Sequence, residues 1–193
     1  MTLRNHILLM ANYNQWMNVK LYEAAGKLSQ EELTTNRKAF FGSLLGTLNH
    51  IVVGDTVWLK RFATHPFGYA ALEPVRAMTM PASLDQILFS EFVPLRKHRE
   101  DLDCIINAWA SSLKDVDFEH TLEYTNMKGA VARRNFGSLV LHFFNHQTHH
   151  RGQATTLLSQ AGHDVGVTDL LMLIPEEAQP ALPAEVAASP RPG

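Results

Sequence analysis

The chain has little that would staple it, insert it into a membrane or charge it strongly. Cys104 is the one cysteine among 193 residues, so no internal disulfide can form, which fits a reducing cytoplasm. No apolar run approaches about 18 residues, and MTLRNHILLM lacks the long uncharged core of a signal peptide. Basic residues number 17 against 19 acidic, a formal charge of −2, which argues against the basic face that nucleic-acid binding demands. The expectation is a soluble cytoplasmic protein, without membrane or nucleic-acid partners, and with one domain large enough to bury a core unaided.

Histidine, by contrast, is plentiful at ten residues. The informative stretch is NHQTHHRGQ, Asn145 to Gln153, which sets His146 and His150 one helical turn apart. Imidazoles at that spacing can share a metal ion at about 2.0–2.1 Å each. The spacing is weak evidence by itself, because a chain this rich in histidine holds roughly half an H-x-x-x-H pair by chance.

Periodicity organises the rest into an all-α four-helix bundle with a small β-hairpin before its last long helix. A first helix is expected over residues 3–27, with Leu3, Ile7, Met10, Trp16, Met17 and Leu21 among its apolar positions. A second runs from Gly42 or Ser43 to Phe62. Residues 64–82, with Pro66, Gly68, Pro74 and Pro81, form a long connection that permits a crossover. Ser83 reads as the N-cap of a third helix beginning SLDQILFSEF, kinked or restarted at Pro94 and ending near Leu113. FEHTLEYTNMKGAVARR, residues 118–134, predicts two short strands around a turn at Asn126–Gly129. Asn135 then caps a last helix from Phe136 to Ala161, stopped by Gly162. Residues 165–176 extend it with a short ordered piece. The domain is expected to span 1–175, followed by a Pro/Ala-rich tail at 176–193.

On the last helix, Phe136, Leu139, Val140, Phe143, Phe144, Ala154, Leu157, Leu158 and Ala161 define one apolar sector. His150 falls inside it and His146 at its edge, whereas His142 and His149 point away. The alternative to a metal is a pair of core histidines satisfied by hydrogen bonds. His50 lies on the second helix, opposite the main stripe of Leu44, Leu45, Leu48, Ile51, Val52, Trp58, Leu59 and Phe62. Val53, Val57, Gly46 and Gly54 share its side, so the helix can be buried on both faces with room for close approach. Periodicity leaves the direction of His50 open.

The segments ANYNQWMN, SLLGTLNHIVVGDTVWL and NHQTHHRGQATTLL together resemble the DinB family, the DinB/YfiT-like metalloenzymes, over roughly residues 5–172. The resemblance implies a four-helix bundle, often dimeric, that binds a divalent metal through one histidine of the second helix and an H-x-x-x-H of the last. Carried onto this chain, those ligands are His50, His146 and His150. It implies a small-molecule substrate and a homodimer, and no polymerase chemistry despite the shared name. Some relatives are thiol S-transferases in which the metal activates a low-molecular-weight thiol cosubstrate. Others resemble a thiol-dependent isomerase, and many have no assigned reaction.

A tris-imidazole set adds no charge to its metal, and zinc or nickel suits it best. Bound water or thiol then ionises near neutral pH. A zincin protease requires H-E-x-x-H with glutamate as base. Here Gln147 follows His146 and cannot take a proton. Thiol transfer to a small electrophile is the leading reading. Hydrolysis by metal-bound hydroxide is the alternative among enzymes, and a non-catalytic, stress-related metal-binding scaffold the alternative outside them. A fourth ligand, from His149 or Asp55, would favour the scaffold.

Among the neighbours, Arg151 and Gln153 can support a ligand or simply pack, and Gly152 allows close helix approach. Asp55, on an apolar stripe, needs a buried donor such as Trp16 or Tyr13. Cys104, amid Leu102, Ile105 and Ile106, reads as core, and His6, His65, His98, His120 and His163 read as surface.

Overall fold

A computed structural model describes residues 2–177. Four long helices carry the architecture: α1 (Leu3–Ala25), α3 (Leu44–Phe62), α5 (Phe92–Ser112) and α6 (Phe136–Gln160). Short helices α2 (Gln30–Thr34) and α4 (Glu73–Ala77) lie in the connections, and a hairpin of β1 (Thr121–Thr125) and β2 (Val131–Asn135) precedes α6. Helix α1 packs on α5 and α6, and α3 packs on the same two, so α1 and α3 face each other across the bundle. No helix among the described residues is long and apolar enough to cross a membrane.

The starts of the helices follow from side-chain capping. Thr2, Ser43 and Asn135 accept the N–H groups of Asn5, Gly46 and Ser138, satisfying donors that the helix itself leaves free. Ser29 and Glu32 form a reciprocal capping box on α2, a helix too short for periodicity to reveal. Gly162, at φ 83°, ends α6 in the left-handed conformation, and His163 N–H returns to the Leu158 carbonyl. The hairpin pairs Thr121 with Asn135 and Thr125 with Val131 in antiparallel register, around the expected turn. The core is aromatic at one end, where Phe62 stacks on Trp109 and meets Phe136 and Phe143 edge-on.

Three expectations are corrected. Residues 83–91 are not helical, and α5 begins only at Phe92, which places Pro94 in its first turn, where a missing N–H costs nothing. The backbone of that segment is claimed by α3 instead. Asn49 receives Phe89 N–H at 2.9 Å and donates to the Phe89 carbonyl at 3.0 Å, while the Leu84 carbonyl accepts from His50. Cys104 is exposed rather than core. His65 is buried rather than surface, because the turn after α3 folds its ring against Phe136. Leu170–Leu173 supplies the short ordered piece after α6 as a 3-10 turn, and the tail expected at 176–193 lies, from residue 178 on, outside the described residues.

Candidate metal centre

Helix α3 contributes His50, which is buried, and α6 contributes His146 and His150, both half-buried. The two helices pack directly, and the glycine pattern of α3 sets how closely. A Cβ at Gly46 would stand 2.2 Å from the Phe41 carbonyl oxygen, so the loop before α3 can fold tightly onto it. Phe41 then stacks on the His50 ring at 3.8 Å between centroids. Gly54 makes the same room for His146. At Gly152 an added Cβ would meet nothing within 4 Å, so that glycine does not mediate the close approach expected of it.

The three rings converge through one kind of atom. His50 Nε2 lies 3.2 Å from His146 Nε2 and 3.1 Å from His150 Nε2. In two of them the other nitrogen explains which tautomer is presented. His50 Nδ1–H donates to the Leu84 carbonyl at 2.7 Å, and His150 Nδ1–H donates to Gln153 Oε1 at 2.8 Å. Both Nε2 atoms therefore turn lone pairs toward the same point, an arrangement that is repulsive alone and favourable around a cation. Two nitrogens each about 2.0–2.1 Å from one ion lie roughly 2.8–3.4 Å apart for angles between square and tetrahedral. The observed spacings fit that set. Among the described residues, these three form the only group of three or more potential ligand side chains whose donor atoms converge.

Burial keeps the imidazoles neutral, as ligands must be. It pushes His146 down to about 3, with His150 and His50 adding to the effect. It also lowers His50 against the opposing pull of the Leu84 carbonyl, and His150 against that of Gln153. The residue that follows His146 supplies no base to the cluster. Gln147 is fully buried and faces the opposite way, donating to Asp55 Oδ1 at 2.9 Å.

That contact belongs to a buried polar layer that sequence reading missed. Asp55 pairs with Arg99 rather than with Trp16 or Tyr13, and Arg99 also reaches Asp103 at 2.9 Å. Asn14 and Asn18 on α1 donate to Asp103 at 3.0 and 2.9 Å, and Arg151 donates to Asn14. Tyr13 instead donates to the Thr168 carbonyl at 2.7 Å. Burial raises both carboxyls, and Arg99 pulls them down. Burial weakens Arg99 as well, but the two carboxylates outweigh it and hold the guanidinium charged. The signal was present in α5, where Arg99 and Asp103 share one face with Leu95, Leu102 and Ile106. Gln153 supports His150, Arg151 belongs to the polar core, and neither Asp55 nor the exposed His149 joins the cluster as a fourth ligand.

A four-helix bundle in which histidines from facing helices bring three nitrogen donors together is compatible with a metal-binding protein. The DinB family model matches residues 1–181, and the chain belongs to that family. It is similar to Protein DinB of Bacillus subtilis (strain 168), with 22% identity over 165 residues, covering 81% of this chain and 87% of that protein. No solved structure matches.

Proposed function

We propose that His50, His146 and His150 hold one divalent metal ion, zinc or nickel, and that the protein uses it to activate a thiol against a small electrophile. The observation that carries this reading is the convergence of three Nε2 atoms, two of them with Nδ1–H already donated elsewhere. Such an ion would supply Lewis acidity undiminished by ligand charge and would favour the thiolate at neutral pH. The residues of the chain do the positioning: Leu84 and Gln153 set two of the ring tautomers, and Phe41 covers the outer face of His50. With three side-chain ligands a position stays open for a small molecule, whereas a closed structural site would take a fourth. A homodimer in the cytoplasm, with residues 1–175 as its domain and no nucleic-acid partner, goes with this reading.

Elemental analysis of the untagged protein beside a His50→Ala/His146→Ala/His150→Ala variant tests it. About one equivalent of metal in the parent and none in the variant supports the site. Absence of metal in the parent, even after incubation with zinc or nickel, sinks it. Thiol consumption against alkyl halides and epoxides by the loaded protein then separates thiol transfer from hydrolysis, which would proceed without thiol.

A further inference from the structure

The loop between α2 and α3 carries two cations, Arg37 and Lys38, that form no salt bridge among the described residues. Arg37 and Lys38 line an open groove of about 320 Å³, with Phe40 beside them and Gln153, Thr156 and Leu157 of α6 along its other side. No acidic residue lines it. Arg37 Nε is buried without a hydrogen-bond partner. Glu32 senses Arg37 through space, but its carboxylate is held by Ser29 N–H at 2.7 Å and Ser29 Oγ at 2.8 Å.

The loop is built to hold those cations in place. Lys38 sits at φ 57°, the left-handed region that a lysine seldom occupies, and such strain tends to persist at working sites. Asn36 Oδ1 accepts Lys38 N–H at 2.9 Å, and the Gly42 carbonyl accepts Arg37 N–H at 2.8 Å. Two side chains link the groove to the histidine cluster. Gln153 in its wall is the acceptor for His150 Nδ1–H, and Phe41, next in sequence to the wall residue Phe40, is the ring stacked on His50.

A half-buried guanidinium beside an exposed ammonium attracts a compact anion, and the planar fork of arginine matches a carboxylate. Phe40, 87% exposed, adds an apolar surface for the carbon skeleton between anion and reacting end. We infer that this groove is the anion subsite of the metal centre. The small molecule handled there carries a carboxylate, held by Arg37 and Lys38, while its thiol or electrophilic end reaches the histidines. The inference rests on the metal reading proposed above, and it identifies the substrate by charge.

The test uses the full chain loaded with cobalt(II), beside an Arg37→Gln/Lys38→Gln variant. The paired thiols are 3-mercaptopropionate and 3-mercaptopropanol, read by thiolate-to-cobalt absorption. The paired electrophiles are 4-(bromomethyl)benzoate and benzyl bromide, read by initial rate. The parent should prefer the carboxylated member of at least one pair roughly tenfold to a hundredfold, the worth of hydrogen bonds to a charged group. The variant should lose that preference with cobalt content and the uncharged members unaffected. Preference within the thiols places the carboxylate on the thiol, and preference within the electrophiles places it there. No preference in either pair, or one that the variant keeps, overturns the subsite. Failure to bind cobalt overturns the metal reading instead. Benzoate titrated into the metal-free chain, followed by amide shifts of residues 36–42, then decides the subsite alone: shifts absent from the variant support it, and equal shifts in both proteins overturn it.

Discussion

Gly54 of α3 stands against the imidazole of His146 on α6, so closely that a Cβ on Gly54 would lie 2.7 Å from Cε1 of the ring. No real Cβ tolerates that approach, so Gly54→Ala must displace the ring from the position that aims its Nε2 at His50. We expect metal affinity to fall about tenfold to a hundredfold, as for loss of a ligand-orienting contact. The far-ultraviolet circular dichroism should stay unchanged. Competition with a chromophoric chelator measures the affinity, and an unaltered dissociation constant would show that the ring's place is not critical.

Arg99 holds two buried carboxylates, Asp55 and Asp103. Arg99→Met leaves both without their cation and should cost about 3–5 kcal/mol, the usual penalty for breaking a buried pair from one side. Adding Asp55→Leu should recover part of that loss, because it removes one of the stranded charges. Urea denaturation of the chelated protein compares the two, and a double variant less stable than the single would contradict the account.

Gln147 occupies the place where a zincin carries its base, and its amide donates into the core toward Asp55. Gln147→Glu would therefore set a second carboxylate against Asp55 in a dry environment rather than supply a base to the metal. The expected outcome is a stability loss of roughly 2–4 kcal/mol, from burial and like charge, with no gain of peptidase activity. Thermal unfolding and a casein assay check both halves.

The depressed histidines also set a pH dependence. In the folded metal-free chain burial lowers His50, His146 and His150, so the unfolded chain binds more protons below its own histidine pKa of about 6.5. Stability is thus fully present above that value and falls with acidification, and with His146 down to about 3 the loss continues through the acidic range. The melting temperature of chelated protein should drop from pH 7.5 to 5, and a His146→Ala variant should show a shallower slope. Parallel profiles would refute the assignment.

The bundle and most helix limits were legible because they depend on local chemistry. Ser43 and Asn135 cap by their own side chains, Gly162 accepts a left-handed backbone, and the period of Phe136, Leu139, Val140 and Phe143 marks the buried face. The strap at 83–91 was misread for a matching reason. Ser83 and the following apolar residues are compatible with a helix, and what prevents one is Asn49, some forty residues earlier, holding both polar groups of the Phe89 backbone. Cys104 and His65 were misplaced because apolar neighbours in sequence do not say which side of a helix, or of a turn, a residue takes.

By itself the sequence determined α1, α3, α6, the hairpin and the one-turn spacing of His146 and His150, since each follows from backbone geometry within a few residues. The tertiary structure decided which way His50 faces and that Gln153 rather than Arg151 supports His150. It also decided that Asp55 answers to Arg99. Those outcomes depend on which surfaces of α3, α5 and α6 are pressed together, and a buried polar group accepts whichever partner the packing delivers within hydrogen-bond reach.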